Sequence, residues 1–225
     1  MSNAGSNLSS KSSDYSSLGA ALDYILKRHD LDFECCLPAI VESYDRAKNV
    51  ASVRPLIMIT TLAPEASKTN SMRRHLIKDM PVISIGAGGF HISFPINVGD
   101  LGWIHASDRD IQQFLRTLKE GPAPTQLVHR FSQGVFIPDV FRNYTINPED
   151  SSALVLQSVD SRSRISISSD SIKITTPLNV TIDSPETHIT GHTTIDGDAD
   201  IGGVSFLGHV HGGVIPGGGT SGIPQ

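Results

Sequence analysis

The rhythm of apolar and polar positions changes three times along this chain, and each change predicts a different kind of structure. Residues 1–17 are mostly Ser, Gly and Asn with no apolar period, and are expected to be disordered. Leu18, Leu22, Ile25 and Leu26 then recur at helical spacing behind a Ser16 or Ser17 cap, with Arg28 and His29 in the last turn. That pattern predicts a helix over 18–30.

From Pro38 the period drops to two. Ala39–Tyr44 and Val50–Ile59 flank the polar turn Asp45–Asn49, which reads as a hairpin. Pro81–Ile85, Phe90–Phe94 and Gly99–His105 add three more extended segments, with Gly86, Gly88 and Gly89 at bends or bulges. Five strands in so short a span predict a small, strongly bent barrel over 31–120. Asp108–Leu115 predicts a short helix on it, packed through Ile111, Phe114 and Leu115. Four of the thirteen prolines fall between Gly121 and Pro148, so 121–150 reads as an extended connector. Its apolar residues Phe131, Val135, Phe136, Ile137 and Phe141 must still be covered.

Over 151–207 the texture changes again. Leu154-Val-Leu156, Ile165-Ser-Ile167, Ile172-Lys-Ile174, Leu178–Ile182, Ile189, Ile195 and Ile201 form short period-two stripes between Asp, Ser, Gly and Pro. Stripes this narrow, nearly without aromatics, cannot close a core within one chain. Three chains wound into an intertwined β-helix or β-prism would close it, with Ile and Val on a common axis and Ser, Thr, Asp and Lys in water. A disordered tail is the competing reading, and the persistent alternation argues against it.

Composition agrees with that division. With 225 residues, 38% of them hydrophobic and 6% aromatic, the chain is lean for one compact globule. A net charge of −5 without a Lys/Arg cluster argues against a general nucleic-acid binder. Cys35 and Cys36 are adjacent and are the only cysteines, so they supply no disulfide framework and are expected to be buried or half-buried thiols. No apolar run approaches the ~20 residues of a membrane helix, and no secretion signal is visible.

Candidate chemistry concentrates at His209-Val-His211. Positions i and i+2 of a strand share a side, so two imidazoles converge on one ion. Three such pairs on a trimer axis make six nitrogens, an octahedral shell suited to a divalent first-row metal: Fe(II), with Ni, Co or Zn by the same ligand logic. A saturated shell leaves no position for water or substrate, so the site is expected to staple the trimer and not to catalyse. His188 and His192 lack a helix to align them, and Asp196-Gly-Asp-Ala-Asp200 lacks the Gly and Glu of a calcium loop and reads as turns. Gly86–Gly89 has no following Lys-Ser/Thr. Asp108 and Asp110 read as helix caps. No nucleophile elbow or Cys/His pair appears, and the protein is not expected to be an enzyme.

A barrel carrying Val98-Gly-Asp-Leu-Gly-Trp-Ile-His-Ala-Ser-Asp-Arg-Asp-Ile111, a Ser/Thr/Ile-rich repetitive segment and a final Leu-Gly-His-Val-His-Gly-Gly together resemble the central baseplate spike proteins of contractile-tailed bacteriophages. The resemblance runs from about Leu31 to the C-terminus. It implies a mainly β protein, an OB-fold-type barrel followed by a trimeric spike, whose apex over 208–225 holds one iron ion through His209 and His211 of all three chains. It also implies a virion protein of the tail baseplate, made in the host cytoplasm, that is a homotrimer, meets a hub or tail-tube protein at its N-terminal end and pierces the host outer membrane on contraction. Some relatives insert a lysozyme domain where this chain has only 121–150, so this one is expected to puncture without cutting peptidoglycan. Two other readings compete: a trimeric carbohydrate-binding or depolymerising tailspike, and the tip of a related pyocin or type VI injection machine. The first usually needs a long groove lined with aromatic and acidic residues, which the segment after Ser151 does not supply.

Overall fold

The computed structural model describes residues 15–62 and 69–210, together with Gly213 and Gly217. It divides into residues 1–175 and residues 176–225. The first unit opens with helix α1 (Leu18–Asp32), capped as expected: the Ser17 hydroxyl accepts from the Ala20 amide at 3.1 Å. Leu18, Leu22, Ile25 and Leu26 all stay exposed on it.

The barrel follows. Strands β1 (Cys36–Asp45) and β2 (Val50–Pro55) form the expected hairpin, and its turn is fixed by the Asp45 carboxylate accepting from the Ala47 and Lys48 amides. A side hairpin, β3 (Ile59–Leu62) and β4 (Thr69–Met72), precedes β5 (Ile77–Pro81), which pairs with β2. A second side hairpin, β6 (Ile85–Ala87) and β7 (Phe90–Ile92), leads to β8 (Leu101–Ser107) and short helix α2 (Gln112–Thr117). Strand β9 (Arg130–Pro138) completes a five-stranded sheet in the order β5-β2-β1-β8-β9. Its two edges approach each other: Val82 bridges Phe136 in parallel, and the Ile83 amide donates to the Phe136 carbonyl at 2.8 Å. The sheet is therefore a small, nearly closed barrel, with the connectivity that the OB-type expectation requires.

Alternation decides what fills it. Ala39 and Val41 of β1, Ala51 and Val53 of β2, Met80 of β5, Ile104 and Ala106 of β8 and Phe131 and Phe136 of β9 are buried together. Burying a side chain of Val, Ile or Phe size contributes roughly 1.5–3 kcal/mol, so these few residues carry much of the domain. Gly102 lies where a Cβ would fall on the Phe136 ring and the Ile137 carbonyl oxygen, which explains a glycine in mid-strand.

Several expectations need correction. The third barrel strand is Ile77–Pro81, not 81–85, because Gly88 and Gly89 take positive φ and turn β6 and β7 into a separate hairpin. The fifth strand comes from 130–138, inside the stretch read as connector. Pro122 and Pro124 sit in the loop before it, Pro138 at its end and Pro148 in the turn beyond, while Phe131 and Phe136 fill the core. Helix α2 begins at Gln112 and buries none of its residues, with Phe114 and Leu115 exposed. Cys35 and Cys36 are exposed, not buried.

After a 3-10 turn (Pro148–Asp150), strands β10 (Leu154–Gln157), β11 (Arg164–Ile167) and β12 (Ile172–Thr175) form an antiparallel three-stranded sheet. In the second unit the described residues form one small hairpin, β13 (Asp200–Ile201) with β14 (Val204–Ser205). The stripes expected to be strands around Leu178–Ile182, Ile189 and Ile195 form none within this chain, and those apolar residues are exposed. A strand exists only through a paired neighbour, and the chain offers none there.

Candidate functional site

The sheet β10–β12 is built inside out. Its register sets Leu154 opposite Ile167 and Leu156 opposite Ile165, then Ile165 opposite Ile174 and Ile167 opposite Ile172. Opposed and alternate positions share a face, so these six side chains form two apolar rungs across three strands. Every one of them is exposed, between 38% and 70%. The other face carries Arg164 and Ser166, and those are buried. A soluble sheet that covered its own core would show the reverse.

What covers the polar face is an ionic knot. The Arg164 guanidinium lies 2.6 Å from the Asp150 carboxylate, with both side chains almost fully enclosed. The same guanidinium pairs with Glu149 and donates to the Ser161 carbonyl at 3.1 Å, and Lys173 adds a 3.1 Å contact to Glu149. The neighbouring Ser166 hydroxyl, and then Arg164, hold Asp150 below the ordinary carboxylate value. The 3-10 turn is thereby clamped onto β11, and the sheet keeps its apolar rungs outward. Sequence reasoning missed this knot; Arg164, between the stripes, was its only visible sign.

The two carboxylates of Asp108-Arg-Asp110 contact neighbouring loop and helix residues. Asp110 is buried, accepting from the Gln112 amide at 3.0 Å and from the Thr125 hydroxyl at 2.8 Å; the residue at the cap of α2 is Ile111, so neither Asp108 nor Asp110 takes the expected cap position. Asp108 lies 3.7 Å from the His129 ring. On β8 the Trp103 indole donates to Asp139 at 2.8 Å and stacks on Phe141 at 5.0 Å between ring centres.

Of the two histidines singled out, His209 is described and His211 lies outside the described residues. The loop ahead of His209 is tightly tied. Asp198 accepts from the Leu207 amide at 2.9 Å, the Ala199 amide at 2.9 Å and the Ser205 hydroxyl, and the Gly208 amide donates to that same hydroxyl oxygen at 2.8 Å. The Ser205 hydroxyl and then the Leu207 amide hold Asp198 below its ordinary value. The His209 Nδ1 lies 2.8 Å from the Phe206 carbonyl oxygen and 3.2 Å from that of Ser205. A carbonyl only accepts, so Nδ1 meets it as an N–H donor, the arrangement of the Nδ1–H tautomer. That tautomer fits a metal ligand binding through Nε2, and iron, nickel, cobalt and zinc all accept such a nitrogen. Among the described residues no three His, Cys, Asp or Glu side chains of this chain gather around one point. His188 and His192 are exposed, and the Asp198 and Asp200 carboxylates serve turns, Asp200 accepting from the Gly203 amide at 2.8 Å.

The barrel has a core of its own, while the three-stranded sheet after it presents two apolar rungs outward. Residues 37–139 match the family described as the Phage protein Gp138 N-terminal domain. Over those residues the chain is similar to that phage protein domain, and there the resemblance to phage baseplate spike proteins is borne out. The match begins one residue into β1 and ends one residue after β9, so it takes in the five barrel strands but for Cys36 and supports 130–138 as part of the barrel. A comparison with curated proteins found no match.

Proposed function

We propose that this chain is a structural virion protein: the central spike of a phage baseplate, a homotrimer that pierces the host outer membrane when the tail contracts. The observation that carries this reading is the exposed pair of apolar rungs on β10–β12, set in register while the polar face is clamped shut. Six large aliphatic side chains facing water are unfavourable by roughly 1–2 kcal/mol each relative to burial. Two further copies of the same sheet, turned about an axis, would cover them with matching rungs. The unpaired stripes at Leu178–Ile182, Ile189 and Ile195 would find strand partners on those copies in the same way.

The N-terminal barrel, complete without help, is the part suited to gripping a hub or tail-tube protein. At the other end His209 and His211 of three chains would hold one ion, with iron the first choice and zinc, nickel or cobalt compatible with the ligands. Such an ion would supply a six-ligand cross-link and no reactive position. Piercing by an external motor asks for stiffness and a small point. No catalytic group is called upon.

Molar mass and metal content of the purified full-length protein test the reading together. Three chains and one transition-metal ion per particle are expected, with the ion lost when His209 and His211 are replaced by Ala. A metal-free monomer would sink both the assembly and the site.

A further inference from the structure

The loop before His209 is held by one carboxylate that reaches nine residues along the chain. Asp198 is not beside His209 in sequence and does not touch its ring. It takes hydrogen bonds from the Leu207 amide, 2.9 Å away, and from the Ser205 hydroxyl. Through Ser205 it also governs Gly208, whose amide donates to the same hydroxyl oxygen at 2.8 Å. The backbone from Ser205 to Gly208 is therefore wrapped around Asp198. Hairpin β13–β14 fixes the near side, with Gly202 and Gly203 at positive φ in its turn and the Phe206 amide donating to the Ala199 carbonyl at 2.8 Å.

Two carbonyls emerge from this wrapped segment, those of Ser205 and Phe206, and both face the His209 ring at Nδ1. The His209 amide also donates to the Ser205 carbonyl, at 3.2 Å. The ring is thus oriented by backbone groups whose own positions depend on Asp198. We propose that Asp198 is the positioning residue of the His209 ligand, acting through Ser205 and the 205–208 backbone to hold the ring as the Nδ1–H tautomer with Nε2 turned to the metal. This rests on the reading of His209 as a ligand. Groups at this remove from a metal commonly set its affinity, because a ligand that must first be oriented binds more weakly.

Two measurements on the full-length trimer test it. The first reads the ring without any metal: chelator-treated protein with ring-15N histidine at pH 8, the His209 signal being assigned with His209→Ala. Wild type should show Nδ1 protonated, Asp198→Ala a mixture of both tautomers, and Asp198→Asn a partial return, since its Oδ1 still accepts the Leu207 amide. The second is titration with Co(II) followed by its visible spectrum. Asp198→Ala should bind about 10–100-fold more weakly, with Ser205→Ala weakened in the same direction. The Ser205 variant also guards against a simple folding failure, since it leaves the carboxylate and both turn amides in place. An unchanged tautomer and unchanged Co(II) affinity in Asp198→Ala would overturn the proposal while leaving the ligand reading intact. A wild type with the expected tautomer that takes up no Co(II) would overturn the ligand reading and the proposal with it.

Discussion

The barrel and the sheet that follows it use the same residue types in opposite ways. In β1, β2, β5, β8 and β9 the alternate Val, Ile, Ala and Phe positions point inward and are almost fully enclosed by the chain's own strands. In β10–β12 the alternate Leu and Ile positions point outward, and the buried face is the one with Arg164 and Ser166. Both regions draw on β-branched and aliphatic residues for their strands. What differs is whether the chain supplies the second surface. The barrel curls back until Val82 meets Phe136, whereas three strands of four residues do not curl into a barrel, and in the proposed assembly further copies supply their second surface.

The largest effect should come from breaking the contact proposed between the rungs of different copies. Replacing Ile165 and Ile174 by Asp sets two carboxylates opposite each other on one rung. Assembly should be abolished, giving a monomer by light scattering, while far-ultraviolet circular dichroism and a cooperative barrel transition persist. A variant that remains a trimer would show that these rungs are not where the chains meet.

The converse test cuts the core the barrel makes for itself. Phe136 is fully buried at the seam where the barrel closes. Phe136→Ala should cost the barrel about 3–5 kcal/mol, measured by denaturant unfolding of the barrel transition. Molar mass should stay that of the wild-type protein. Loss of assembly in this variant would mean that the rungs meet only when the barrel core is intact.

How much of this was readable beforehand follows the same division. Period-two alternation announced a barrel and the stripes beyond it, because alternation is a local property of the chain. Which segments paired was not local. Ile85 and Phe90 belong to a hairpin outside the barrel because Gly88 and Gly89 turn the chain back at once. Phe131 and Phe136 belong inside because β9 must seal the edge that β5 leaves open. Prolines at 122, 124, 138 and 148 masked that strand, although its apolar residues had no other place to go. At the candidate metal centre His209 and His211 were visible as ligand types. Asp198 was not, since nothing in a turn-forming Asp reveals that it will be bonded by Leu207 and Ser205 across a hairpin.

Acid should separate the two regions more gently. Among the described residues four carboxylates are clearly held below their ordinary value. Only Asp45, in the β1–β2 turn, belongs to the barrel; Asp150, Asp160 and Asp198 lie beyond it. Asp160, hydrogen-bonded by the Ser158 hydroxyl and then by Arg162, is lowered to about 2. As pH falls below the ordinary value of 3.8, protons bind these groups in the unfolded chain before they bind in the folded one. The stability they contribute is therefore complete above that value and drains away through the lower folded values. Between pH 8 and pH 5 these four groups leave stability unchanged, and between about pH 4 and pH 2 the segment after the barrel should loosen first. Amide hydrogen exchange can read this directly, with protection lost in β10–β12 and in 198–208 at a pH where β1, β2 and β8 still hold theirs. Equal loss in both regions would mean that the ionic knot at Arg164 and Asp150 adds nothing that the barrel lacks.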